Sequence, residues 1–123
     1  MAARQRQTYG EEVANVLTHG AGMLFGMTAI IVLMMAAIRS GNPWAIGSFA
    51  VYAVCMTLSY VTSTFYHAST HARQKRLLRR FDHGAIYLHI AGTYTPFTLL
   101  ALRQEGYWGW SLFAVIWIAA VVG

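Results

Sequence analysis

Four long apolar runs, divided by short polar breaks, make up most of the chain: residues 20–38, 44–66, 84–102 and 106–123. The first two carry no charged residue, the third contains only His89, and the fourth has nothing ionisable except Tyr107. A hydrocarbon core about 30 Å thick takes roughly 20 apolar residues per helix. Three runs meet that length, and the fourth falls a little short at about 1.5 Å per residue. Apolar residues continue all round each run instead of forming one stripe, as in helices that face lipid. A soluble bundle would show a polar face on every helix. The pattern predicts an all-α, polytopic transmembrane helical bundle forming one domain. The chain is still apolar at Gly123, so it reads as a truncated piece of something longer.

The breaks are short. Ser40-Gly41-Asn42-Pro43 is a turn that starts the second helix, with Pro43 suited to a helix N-terminus. His71 to Arg80 reads as a basic loop, and Arg103 to Gly106 as a tight turn. Composition agrees with the pattern, with 57% hydrophobic and only 11% charged residues, against roughly 25% charged in soluble domains. A single cysteine, Cys55, excludes an internal disulfide and a Cys-rich metal site. Arg4 and Arg6 precede Glu11 and Glu12, and the first apolar run is too long for a signal-peptide core, so it is expected to be retained.

Charge sets the expected orientation. Arg4, Arg6, Arg73, Lys75, Arg76, Arg79 and Arg80 fall on one side, and only Arg39 and Arg103 on the other. The richer side is expected to be cytoplasmic, with the N-terminus inside and the protein multi-pass in a bacterial inner (plasma) membrane. The basic segment would also attract anionic headgroups, making membrane lipid the expected partner. Nothing points to nucleic acid, nucleotide or haem, and oligomeric state does not follow from the residues.

With that topology the chemistry-bearing residues collect at one depth. Asn15 and His19 are four apart before the first span, and Ser63 and His67 are four apart at the inner end of the second. Asp82 and His83 open the third. Glu12, Asn15, His19, Ser63, His67 and Asp82 thus reach the same leaflet, and Ser59 extends the stripe of Ser63 and His67. Singly, each has a structural reading: interfacial histidines, serines that serve packing, and carboxylates that complement a helix N-terminus. Together they suggest a site, because ionisable residues at the edge of a membrane bundle usually face its interior. His89 lies about 10 Å deeper than Asp82, either extending the site or acting as a hydrogen-bonded core residue. His83 points about 100° away from Asp82. His67 is the convincing metal ligand. An H-x3-H pair with His71 is disfavoured by the five nearby cations. Gly22 and Gly26 read as a packing pair, and Gly92 and Pro96 as a bend in the third helix.

These residues resemble a known family. Glu12-x2-Asn15-x3-His19-Gly20, Ser63-x3-His67, Phe81-Asp82-His83 and Ile90-Ala91-Gly92-Thr93-Tyr94-Thr95-Pro96-Phe97 look like the bacterial hemolysin III family, related to the progestin and adipoQ receptors and more distantly to alkaline ceramidases. The resemblance implies seven membrane helices, of which four are present, and a zinc centre near the cytoplasmic face. It makes His67 one zinc ligand and Asp82 the carboxylate that holds or activates the zinc-bound water, with Ser63 beside it. It places the remaining ligands, a His-x3-His pair, in a last helix beyond Gly123. His89 departs from the pattern, which has an aliphatic residue there.

Three functions follow from these observations. The first is a zinc-dependent hydrolase of a lipid amide or ester, with zinc acidifying a bound water and Asp82 as base. The second is a non-enzymatic membrane-homeostasis or receptor-like sensor. The third is a pore-forming cytolysin, which the lack of polar channel-lining segments ranks last.

Overall fold

A computed structural model describes residues 8–123, except for the side chains of Glu12, Asn15 and Val16. It is helical throughout the described residues: α1 Tyr9–Ser40, α2 Pro43–Ala68, α3 Ala72–Pro96, a π-helical turn Phe97–Ala101, and α4 Trp108–Val122. Short connections make each helix run antiparallel to the one before it.

The ends of the elements have local causes. Thr8 caps α1, accepting a hydrogen bond from the Glu11 N–H, while the Thr8 N–H donates to Glu11 Oε2 at 2.7 Å. This reciprocal pair is a capping box, and it holds the Glu11 carboxyl below the usual range because Thr8 bonds the charged form. Gly41 ends α1 with φ 65°, a left-handed conformation that costs glycine nothing. Asn42 then caps α2, its Oδ1 accepting from the Trp44 N–H at 3.0 Å, and Pro43 takes the first helical position. Pro96 has no N–H to give the Gly92 carbonyl, and the helix widens directly after it. The Leu102 N–H reaches back to the Phe97 carbonyl, and the Thr98 hydroxyl donates to Tyr94 and Thr95 carbonyls.

The basic segment expected as a loop is helix. Residues 72–80 form the first turns of α3, whose α-helical part ends at Pro96 and not at residue 102. Arginine, lysine, leucine and glutamine are strong helix formers, and the segment holds no glycine or proline.

Side-chain sizes are sorted in the opposite sense to a soluble bundle. The largest fully buried side chains are Thr95, Thr98 and Ser48, and the other buried positions include Ala37, Ala45, Cys55, Ala85 and Ala91. Large apolar residues point outward, among them Phe25 at 79% exposed and Val121 at 78%. Two helices are long and apolar enough to cross a membrane, Leu17–Ser40 and Pro43–Ala68, with 6% and 22% of their apolar windows buried. A core helix of a soluble protein would be mostly buried. Small residues inside and large apolar ones outside are what helix packing in lipid favours, because close backbone approach replaces the hydrophobic drive.

The tightest approach is between α2 and α3. A Cβ added at Gly92 would stand 2.6 Å from Cys55 Cβ and 3.6 Å from Tyr52 Cα. Gly92 therefore allows a close crossing of α2 and α3. Gly26 faces Met56 across α1 and α2, whereas Gly22 meets nothing within 4 Å. Helix α4 is tied to α3 by the indole N–H of Trp117, which donates to Thr95 Oγ1 at 3.0 Å. At the end opposite the basic segment, Arg103 lies over Trp44 at 4.1 Å, and Trp44 meets Trp110 edge-on at 5.8 Å. Indole rings at this level suit a membrane–water interface.

Candidate functional site

The α2–α3 hairpin positions the candidate residues. Counting the antiparallel register back from the Cys55–Gly92 contact puts Ser63 opposite the turn that contains Asp82. His67 lies about one turn nearer the hairpin. Ser63 and Asp82 are half-buried, and His67 is exposed. The His67 ring meets Tyr66 edge-on at 5.0 Å between centroids, and Lys75 Nζ sits over the Tyr66 ring at 5.5 Å. The three residues share one end of the bundle.

Asp82 does not open its helix. It lies ten residues into α3, about 15 Å along the axis. The helix dipole acts within the first turn, so it does not account for a carboxylate here. Asp82 is instead a half-buried acid on a segment that is otherwise basic.

The disfavoured pair of His67 and His71 does not form on one helix. Helix α2 ends at Ala68, Ser69 is its C-cap, and His71 is the N-cap of α3. A chain reversal separates the two rings, so they do not share a helix face. His19 falls at the same end, level with Ser63 when the register is counted from the Gly26–Met56 contact, but it is exposed. The side chains of Glu12 and Asn15 lie outside the described residues.

His89 is one helical step before the Gly92 crossing. Its ring meets Tyr52 edge-on at 6.3 Å, and Nδ1 is buried without a hydrogen-bond partner. The reading of His89 as a hydrogen-bonded core residue is therefore not met at that nitrogen. A nitrogen so placed is costly unless a further group meets it.

The donor set falls short of what zinc needs. Catalytic zinc takes three protein ligands and a water. Among the described residues, no group of three His, Cys, Asp or Glu side chains converges to hold a metal. His67 and Asp82 supply the right atom types in insufficient number, so the described residues do not by themselves fit the ion.

A family model described as haemolysin-III related matches residues 7–123. The chain belongs to this family. It is 45% identical over 120 residues to Hemolysin-3 of Bacillus cereus, covering 98% of this chain and 54% of that one. It is 43% identical over 116 residues to a Hemolysin-3 homolog of Bacillus subtilis (strain 168), covering 94% of this chain and 54% of the relative. The chain thus spans about half the length of the curated relatives it matches. No solved structure matches it. Membership in the haemolysin-III family, the all-helical fold and the outward-facing apolar side chains agree on a membrane protein.

Sequence spacing had no means of showing two features of this end of the bundle. One is the Tyr66 ring, which meets both His67 and Lys75. The other is Ser69, whose hydroxyl is buried and unpartnered. A serine next to a helix end is too common to signal itself.

Proposed function

We propose that this chain is the part of a haemolysin-III membrane protein that contributes Ser63, His67 and Asp82 to a polar centre at the cytoplasmic end of its helices. The observation that supports the reading is the α2–α3 register, in which an acid, a histidine and a serine fall at the end of the hairpin where α3 is basic. In this reading His67 is one metal ligand, zinc being the expected ion, and ligands other than those described here complete the set. A bound zinc would supply Lewis acidity to a water or carbonyl. Asp82 would hold or accept a proton beside it, and Ser63 would orient through its hydroxyl. The chemistry this suits is hydrolysis of a lipid amide or ester, with membrane lipid as the substrate class. The protein is proposed to be multi-pass in the bacterial inner membrane with its N-terminus in the cytoplasm, on the strength of the basic residues at that end.

A second reading is a membrane-homeostasis or receptor-like role in which metal is structural. It is favoured by the exposure of His67, which a dry hydrolytic pocket would not leave open. The name Hemolysin-3 borne by the Bacillus cereus relative favours a third, cytolysis. The apolar residues all round α4 supply no polar pore lining.

The test is metal content and lipid turnover of the full-length protein, wild type against Asp82→Asn and His67→Ala. Loss of zinc in His67→Ala, with turnover lost but the fold kept in Asp82→Asn, is the expected result. Full hydrolysis by Asp82→Asn would remove Asp82 from the mechanism. Stoichiometric zinc without turnover of ceramide-like substrates would favour the second reading.

A further inference from the structure

The corner between α2 and α3 holds a second polar feature, separate from Ser63 and Asp82. A cleft of about 250 Å³ opens there, lined by Ser69, Thr70, His71 and Gln74, with Phe65 and Leu78 as apolar walls. Ser69 Oγ is buried at this cleft and has no hydrogen-bond partner. Its own backbone N–H is already used, donating to the Phe65 carbonyl at 3.0 Å. An unpaired buried hydroxyl is unfavourable unless a ligand or solvent meets it.

The other wall is the start of α3. His71 is its N-cap and provides no side-chain cap, so the first N–H groups of a 25-residue helix point free into the same corner. The first turn holds no acidic residue. Arg73, Lys75, Arg76, Arg79 and Arg80 follow within eight positions, and all five are exposed. Lys75 is held over Tyr66 on the cleft side of the helix. None of the five lines the cleft; they follow His71, Gln74 and Leu78 along the helix, where they raise the local potential without needing to touch the ligand.

We propose that this corner binds the phosphate of an anionic lipid headgroup. The Ser69 hydroxyl and the α3 N-terminal amides donate to the phosphate oxygens, and Arg73 and its neighbours supply the countercharge. Phosphate chemistry alone would admit a free anion. The apolar walls decide for a lipid, because Phe65 and Leu78 suit the glycerol and upper acyl region beside a headgroup. The position agrees, since α2 is apolar and long enough to span and the cleft sits at its end. The inference does not depend on metal at His67.

Ser69→Ala is the discriminating variant. Because Ser69 Oγ has no partner among the described residues, its removal breaks no hydrogen bond among them. The protein in nonionic detergent is titrated with phosphatidylglycerol, phosphatidylcholine and inorganic phosphate, and bound lipid is counted by native mass spectrometry. The expected result is saturable binding of phosphatidylglycerol and not of phosphatidylcholine, with affinity weakened about tenfold in Ser69→Ala. Arg73→Gln weakens it further and flattens its dependence on salt. Unsaturable adducts, or binding unchanged in Ser69→Ala, would overturn the site in favour of diffuse charge attraction. Displacement of the lipid by inorganic phosphate at equal concentration would overturn the assignment to a lipid.

Discussion

The register of α2 against α3 decides whether Ser63 and Asp82 meet at one level, and it rests on the crossing at Gly92. Gly92→Ala probes it directly. The added Cβ would stand 2.6 Å from Cys55 Cβ and 3.0 Å from Cys55 Sγ. Carbon atoms settle at about 3.5–4.0 Å, so the helices must part by roughly 1 Å at their closest point. Overpacking of this kind costs about 1–3 kcal/mol. Alanine returns about 1 kcal/mol through its better helix propensity, leaving a net loss of up to about 2 kcal/mol. The assay is reversible unfolding of the full-length protein in mixed micelles with increasing dodecyl sulfate, followed by tryptophan fluorescence. Cys55→Gly, which removes the opposing Cβ, serves as the second arm of a double-mutant cycle. Residues in contact should couple by more than about 0.5 kcal/mol, with Cys55→Gly relieving part of the Gly92→Ala loss. A stabilising Gly92→Ala, or full additivity with Cys55→Gly, would refute the close crossing and the register drawn from it.

Two further perturbations test other parts of the fold. Trp117→Phe removes the indole N–H that bonds Thr95 Oγ1, and is expected to cost about 1 kcal/mol. The loss should be non-additive with Thr95→Val in the same unfolding assay. The α1 cap should depend on pH. Glu11 has its carboxyl pKa depressed by its Thr8 bonds, so the cap's contribution is present above the unfolded value and lost as pH falls through the lower folded one. Amide exchange in the first turn of α1, corrected for intrinsic rates, should accelerate below roughly pH 4 and lose that step in Glu11→Gln.

Much of the candidate site was legible because it depends on spacing within single helices. Ser63 and His67 share a face at any register, since four residues make about one turn. Where α3 begins was not legible in the same way. Charged residues between apolar runs look alike whether they form a loop or the first turns of a helix, and here strong helix formers without a breaker continue the helix back to Ala72. That extension moved Asp82 from a helix mouth to the third turn. The chain reversal at Ser69 likewise divided two histidines that spacing alone would place on one face.

The sequence by itself determined the helical class, the turns at Gly41 and Pro43, the membrane character and the family, because each is written in local composition, periodicity or motif. Only the tertiary structure decided that Gly92 meets Cys55, that His89 keeps a buried nitrogen unpaired among the described residues, and that Ser69 lines a cleft. Each of these depends on what a neighbouring helix presents at the same height. That height is set by close packing of small residues such as Gly92 and Cys55, which leave no periodic trace along the chain.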